Sequence, residues 1–282
     1  MSAVTQGRAG TLPVVEPHRS TPGIAFGALL LRDLAVLRKN LPEFVVRTIM
    51  QPLLFVFVFT YVFPKIGLGV GGRANEGTFS SLLVPGVVAI ACIFQGIQAV
   101  ALPLVQDFGY SREIEDRVMA PLPVWAVAME KVAAGAIQGI IAAAIVFPLA
   151  AIVPASPVHL EVRPLELITV LPLAALLGAS LGLTIGTRVE PRQVPLVFGV
   201  VVIPITFLGA TYYPWAVLTP IPWLKAVVLL NPLVYMSEGF RMSITPDLVP
   251  HMATWAVYLA LIAFTIGLAA WGIQGFYKRV LS

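Results

Sequence analysis

Six stretches of this chain are apolar for roughly 20 residues each, the length needed to cross a hydrocarbon layer. They run over 44–63, 82–105, 130–153, 165–186, 194–212 and 253–275. The pattern predicts an all-α membrane protein with six transmembrane helices. Ahead of the first run lies GIAFGALLLRDLAVLRKN, residues 23–40. Its apolar positions Ile24, Phe26, Leu29, Leu30, Leu34 and Leu37 are expected to cluster on one side, and Arg32, Asp33, Arg38 and Lys39 to leave that side. That arrangement predicts an amphipathic helix lying in the interface. Residues 1–22 are rich in Pro, Ser, Thr and Gly and read as a disordered cytosolic tail. The first 43 residues hold no compact apolar region with a small-residue cleavage site, so they do not read as a signal peptide. Residues 23–282 are expected to form one transmembrane domain. Between the fifth and sixth runs, residues 208–232 carry Pro214, Pro220 and Pro222. This segment is too broken for a span and too apolar for a free aqueous loop. Short half-helices re-entering the outer leaflet are expected, with their backbone satisfied by packing against protein.

Composition agrees. Hydrophobic residues make up 58% and charged residues 11%, whereas soluble domains carry about a quarter charged residues. Mean hydropathy is +0.90. The net charge of +4 comes from basic residues scattered through loops, a distribution that argues against nucleic acid. With the N-terminus inside, twelve Lys and Arg fall on the inner side and five on the outer, with Lys131 at a span boundary. The bias predicts a multi-pass protein of the cell membrane with both termini cytosolic. The lone cysteine, Cys92, excludes an internal disulfide and reads as a packing residue.

Few polar groups offer chemistry. In Leu230–Arg241, LNPLVYMSEGFR, Asn231 is a good N-cap and Pro232 fits the first helical position. A helix starting there carries Glu238 and Arg241 on one face. In the loop 106–132, Arg112, Glu113, Glu115, Asp116 and Arg117 crowd ahead of Pro121 and Pro123. A helix from Ser111 to Met119 would have Ser111 as its cap and acids in its first turn. Along the first span, Phe55, Phe59 and Phe63 share one helical face, and Phe57 and Tyr61 another. The first set could line a translocation path, or face lipid or neighbouring helices. Gln51, Gln95, Gln98 and Gln138 could hydrogen-bond between spans, and Gly135, Gly139 and Ala143 predict close helix contact. Glu130 and Lys131 are expected to snorkel at the start of the third span.

Three of these features resemble the type-2 ABC-transporter permeases, which export drugs, lipids and glycans: the acidic loop, the proline-broken apolar loop, and the Leu-Asn-Pro helix. Arg117-Val118 departs from the Gly-Thr pair the family often has after the acids. The resemblance implies that Arg112, Glu113, Glu115, Asp116 and Arg117 couple to an ABC ATPase on the cytosolic side. It implies re-entrant helices before the last span, and pairing of two permeases as a homodimer or heterodimer. Asn231, Pro232, Glu238 and Arg241 are expected to hold an outer gate. The chain has no G-x-x-x-x-G-K-[ST] phosphate loop and no H-E-x-x-H. No cofactor is expected in this chain; ATP would bind the partner. The expected function is a permease subunit of an exporter of hydrophobic or amphipathic drugs or lipids. Alternatives are a glycan exporter of the same superfamily, or an intramembrane enzyme or assembly factor. The last is disfavoured because no His, Asp or Glu falls at mid-span.

Overall fold

The computed structural model describes residues 22–66, 76–111, 122–154, 158–248 and 250–280; among these, helices dominate and no strand occurs. Helix α1 (Pro22–Lys39) leads through Asn40 into α2 (Leu41–Val56), which a π-turn (Phe57–Val62) extends. Helix α3 (Glu76–Gln106) is extended by a π-turn to Ser111. Then follow α4 (Val124–Ile152) and α5 (Pro164–Arg188). The short α6 (Val194–Val197) and α7 (Ile203–Phe207) are joined by a π-turn. Helices α8 (Pro222–Val227), α9 (Pro232–Ile244) and α10 (Thr254–Val280) complete the chain.

Helices α3, α4 and α5 form the core, and small residues set how closely they approach. A Cβ on Gly96 would lie 2.6 Å from the backbone of Gly178, and one on Gly178 3.1 Å from the Ile93 Cα. Gly135 meets Val100 and Ala179, and Gly139 meets Cys92 and Ala175, so the expected close contact of this span is formed. Apolar side chains gain little from leaving lipid, so association rests on such close packing and on interhelical hydrogen bonds. Gln95 supplies the latter: it accepts from Thr48 of α2 at 3.2 Å and donates to Gln138 of α4 at 3.2 Å.

Three expectations are corrected. Five helical stretches among the described residues are long and apolar enough to cross a membrane: Leu41–Val62, Phe79–Gly109, Val124–Ile152, Pro164–Arg188 and Thr254–Val280. The expected run 194–212 is helical only to Phe207, in pieces of four, five and five residues. That is about 21 Å of helix, short of the ~30 Å hydrocarbon thickness. The helix ends because Leu208 leaves helical geometry and Ala210 takes a positive φ of 52°. Second, Asp33 does not leave the inner face of α1. It lies on the side of Phe26, Leu29, Leu30 and Leu37, while Ile24 points away and is 67% exposed. The reason is a partner: Asp33 pairs with Lys131 of α4. Third, Glu130 and Lys131 do not snorkel. Helix α4 begins at Val124, well before them, and both side chains are buried.

Candidate functional site

The predicted cap of α9 is formed. Asn231 has extended backbone, its Oδ1 accepts from the Leu233 N–H at 2.9 Å, and Pro232 occupies the first turn. Its amide also donates from Nδ2 to the Ile205 carbonyl at 2.7 Å. The side chain therefore serves the start of one helix and the end of another. Helix α7 stops abruptly, and its last carbonyls need donors. Asn231 serves Ile205, and the Thr211 hydroxyl serves Thr206 at 3.1 Å.

Glu238 and Arg241 form the centre of this end of the molecule. They are fully buried and lie 2.5 Å apart. Glu238 Oε1 also accepts from the Trp215 N–H at 3.0 Å, and Oε2 from the Met252 N–H at 2.9 Å. Arg241 Nη2 donates to the Ala210 carbonyl at 3.0 Å. The pair thus ties together the end of α7, the turn at Trp215, α9 itself and the entry to α10. An exposed pair at this spacing contributes only a few tenths of a kcal/mol. A buried one is costly to break, because the surviving charge has no water to turn to. The chemistry is structural: two charges neutralise each other and three irregular backbone groups are satisfied away from solvent.

At the edge of this cluster, an extended stretch before α5 pairs with the end of α9. The Glu161 N–H donates to the Ile244 carbonyl at 3.0 Å, and the Arg163 N–H to the Ser243 carbonyl at 2.8 Å. Hydrogen bonding to Asp247 and the charge of that carboxylate push the Glu161 pKa above its ordinary value, and Arg163 opposes them.

The aromatic face of α2 is assembled as expected. Phe55 stacks on Phe59 at 4.6 Å, Phe59 meets Phe63 at 5.1 Å, and Phe57 stacks on Tyr61 at 5.1 Å. Tyr212, which the sequence did not single out, stacks on Phe55 at 4.7 Å. It arrives from the irregular segment after α7, held there by the contacts just described. The predicted coupling residues Arg112, Glu113, Glu115, Asp116 and Arg117 lie outside the described residues. Ser111, expected to cap that helix, is the last residue of the π-turn on α3. Sequence reasoning also missed the contacts of Trp215 and Met252, which act through backbone N–H groups that no side-chain pattern reports. Among the described residues, no group of His, Cys, Asp and Glu is arranged to hold a metal ion.

Comparison with known proteins agrees with this architecture. The sequence model described as ABC-2 type transporter matches residues 24–245. The chain is 26% identical over 224 residues to the Inner membrane transport permease YadH of Escherichia coli (strain K12), covering 77% of this chain and 83% of that protein. The YadH permease of Shigella flexneri matches with the same identity and coverage.

Proposed function

The chain belongs to the ABC-2 type transporter family and is the membrane subunit of an ABC transporter; from that premise we propose that it moves a hydrophobic or amphipathic substrate, a drug or a lipid, out of the cytoplasm. The observation that carries the substrate class is the open groove of about 610 Å³ beside Phe55, Phe59, Met50 and Leu54, an apolar surface on the first span. Its aromatic lining also favours a second reading, a glycan exporter, because sugars stack on such rings.

In this reading the protein sits in an inner membrane, as the name of the YadH relative says of that protein, with both termini in the cytosol. The charge bias of its loops supports that orientation. Two copies, or one copy and a close relative, pair with two ATPase subunits. The segment containing Glu113, Glu115 and Arg117 meets the ATPase, and α1 helps carry its motion into the spans. The short helices between α7 and α9 re-enter the outer leaflet. Trp223 and Leu230 support this, being 68% and 78% exposed apolar residues on them. The Glu238–Arg241 pair then holds the outer gate in one geometry.

Co-expression with candidate ABC ATPase subunits from the source genome, followed by purification through a tag on the permease, tests the reading. Recovery of the ATPase is expected, with ATP-dependent uptake of the substrate into inverted vesicles. Reversing the charges of Glu113, Glu115 and Arg117 together is expected to abolish ATPase recovery while membrane insertion persists. Undiminished recovery and transport in that variant would show that the loop only marks topology.

A further inference from the structure

A second cavity, of about 400 Å³, lies between α1, α2, α3 and α4, at the opposite end of the bundle from the Glu238 cluster. Its walls are unlike those of the aromatic groove. Arg32 and Asp33 come from α1, Glu43 and Arg47 from α2, and Lys131 and Gln138 from α4. Asp33 pairs with Lys131.

Arg47 lies within the stretch Leu41–Val62 that is apolar enough to span. A cation there is expensive unless it faces a cavity or meets an anion. Among the described residues it makes no ion pair or hydrogen bond. It lines the polar cavity, the aromatic groove, and a small gap between them that also holds Gln98. Its guanidinium therefore stands where the polar cavity and the aromatic groove adjoin. Phe59 lies twelve residues further along the same helix, about 18 Å at the helical rise. Arg47 thus places a guanidinium at the end of an apolar aromatic track long enough for an alkyl chain.

We propose that the aromatic groove binds an acidic amphiphile, with its carboxylate or phosphate head at Arg47 and its alkyl chain along Met50, Leu54, Phe55 and Phe59. The proposal rests on the transport reading and names its substrate class. A guanidinium suits either head group, because its fork donates two parallel hydrogen bonds to paired oxygens. The head group remains near the end of the span, where water can reach it, and the chain stays in apolar surroundings.

The test uses the full chain in phosphatidylcholine nanodiscs and radiolabelled laurate. Saturable binding is expected. Acetate, which has the head alone, and dodecanol, which has the chain alone, should fail to displace it. Arg47→Gln should weaken binding about tenfold or more, the loss of one charge-assisted contact, and Arg47→Lys should fall between the two, keeping the charge without the fork. Phe59→Ala should weaken it several-fold. Arg47 is exposed, so these changes leave the core intact. Nanodiscs containing phosphatidylglycerol assign the source: displacement of laurate identifies a lipid head group, and its absence a soluble amphiphile, and either keeps the site. Binding that is indifferent to Arg47→Gln, or displaced equally by dodecanol, would overturn the proposal. The assay needs no ATPase, so its failure beside normal ATPase recovery would sink the acidic-amphiphile site and leave the transport reading standing.

Discussion

The Glu238 carboxylate meets the Arg241 guanidinium at 2.5 Å with neither side chain exposed, and each also holds backbone from a different segment. The two partners are not equivalent. Glu238→Ala strands a buried cation and leaves the Trp215 and Met252 N–H groups without their acceptor. Its expected cost is about 3–5 kcal/mol. Arg241→Met leaves a carboxylate that still accepts from those two N–H groups, so it is expected to cost less. The double change should fall short of the sum by about 1–3 kcal/mol. Unfolding of the full chain in nanodiscs measures all three, and additive costs would show that the side chains do not act as a pair.

Asn231 separates two effects in one side chain. Asn231→Ala loses both the cap of α9 and the bond to Ile205, and is expected to cost about 1–2 kcal/mol. Asn231→Ser retains a cap oxygen but cannot reach the Ile205 carbonyl. Its stability should fall between those of the Ala variant and the parent. A serine variant as stable as the parent would show that the bond to Ile205 contributes nothing.

Much of this geometry was legible in the sequence because it is local. The Asn-Pro start of α9, the shared face of Phe55, Phe59 and Phe63, and the small-residue stripe of Gly135 and Gly139 follow from helical spacing and cap chemistry alone. The long-range partners were not. Glu238 and Arg241 sit at a spacing that usually means a weak exposed pair. Only the approach of Trp215, Met252 and Ala210 makes them a buried centre. Asp33 was misplaced for the same reason: charge reads as exposure until Lys131 is found opposite it. The run 194–212 is apolar enough to span, yet it breaks at Phe207, where partners for the broken end come from Asn231, Thr211 and Arg241.

The contact of α3 with α5 predicts a sharp contrast among glycines. A Cβ on Gly96 would meet the Gly178 backbone at 2.6 Å, with no flexible side chain to give way. Gly96→Ala must separate the two helices, and is expected to cost about 1–3 kcal/mol or more. Gly267, within α10, has open space around it. Gly267→Ala should be neutral or stabilising by up to about 1 kcal/mol through helix propensity. Melting temperatures of the two variants should move in opposite directions or differ by several degrees; equal shifts would mean that the helices can part without cost.

The Glu161–Asp247 pair predicts a pH dependence. Hydrogen bonding to Asp247 raises the folded-state pKa of Glu161 above its ordinary 4.5. Folding therefore favours the protonated form. Its contribution is fully present below the unfolded pKa and is lost as pH rises through the folded value. Glu161→Gln mimics the protonated carboxyl at every pH. It should be the more stable protein at pH 7, and its advantage should disappear as the pH falls toward the ordinary carboxylate range. An advantage that persists unchanged at acid pH would exclude titration of Glu161 as its cause.

The base of α1 offers an asymmetric test of the same electrostatics. Lys131 pairs with Asp33 of α1 and lies 3.9 Å from its neighbour Glu130, and it is nearly fully buried. Lys131 therefore has a carboxylate on either side. Lys131→Met removes the charge that both carboxylates share and leaves like charges close together at low dielectric, an expected cost of about 3–5 kcal/mol. Asp33→Asn leaves Lys131 with the Glu130 carboxylate beside it, so the cation keeps an anionic neighbour and the tie to α1 is what weakens. Its global cost should be smaller, and its effect local: hydrogen exchange should accelerate across Pro22–Lys39 while α4 stays protected. If α1 moves with the ATPase, Asp33→Asn should also reduce transport more than it reduces stability. Equal costs for the two substitutions would mean that Glu130 takes no part in the balance, and unchanged exchange in α1 would mean that apolar packing alone holds that helix against α4.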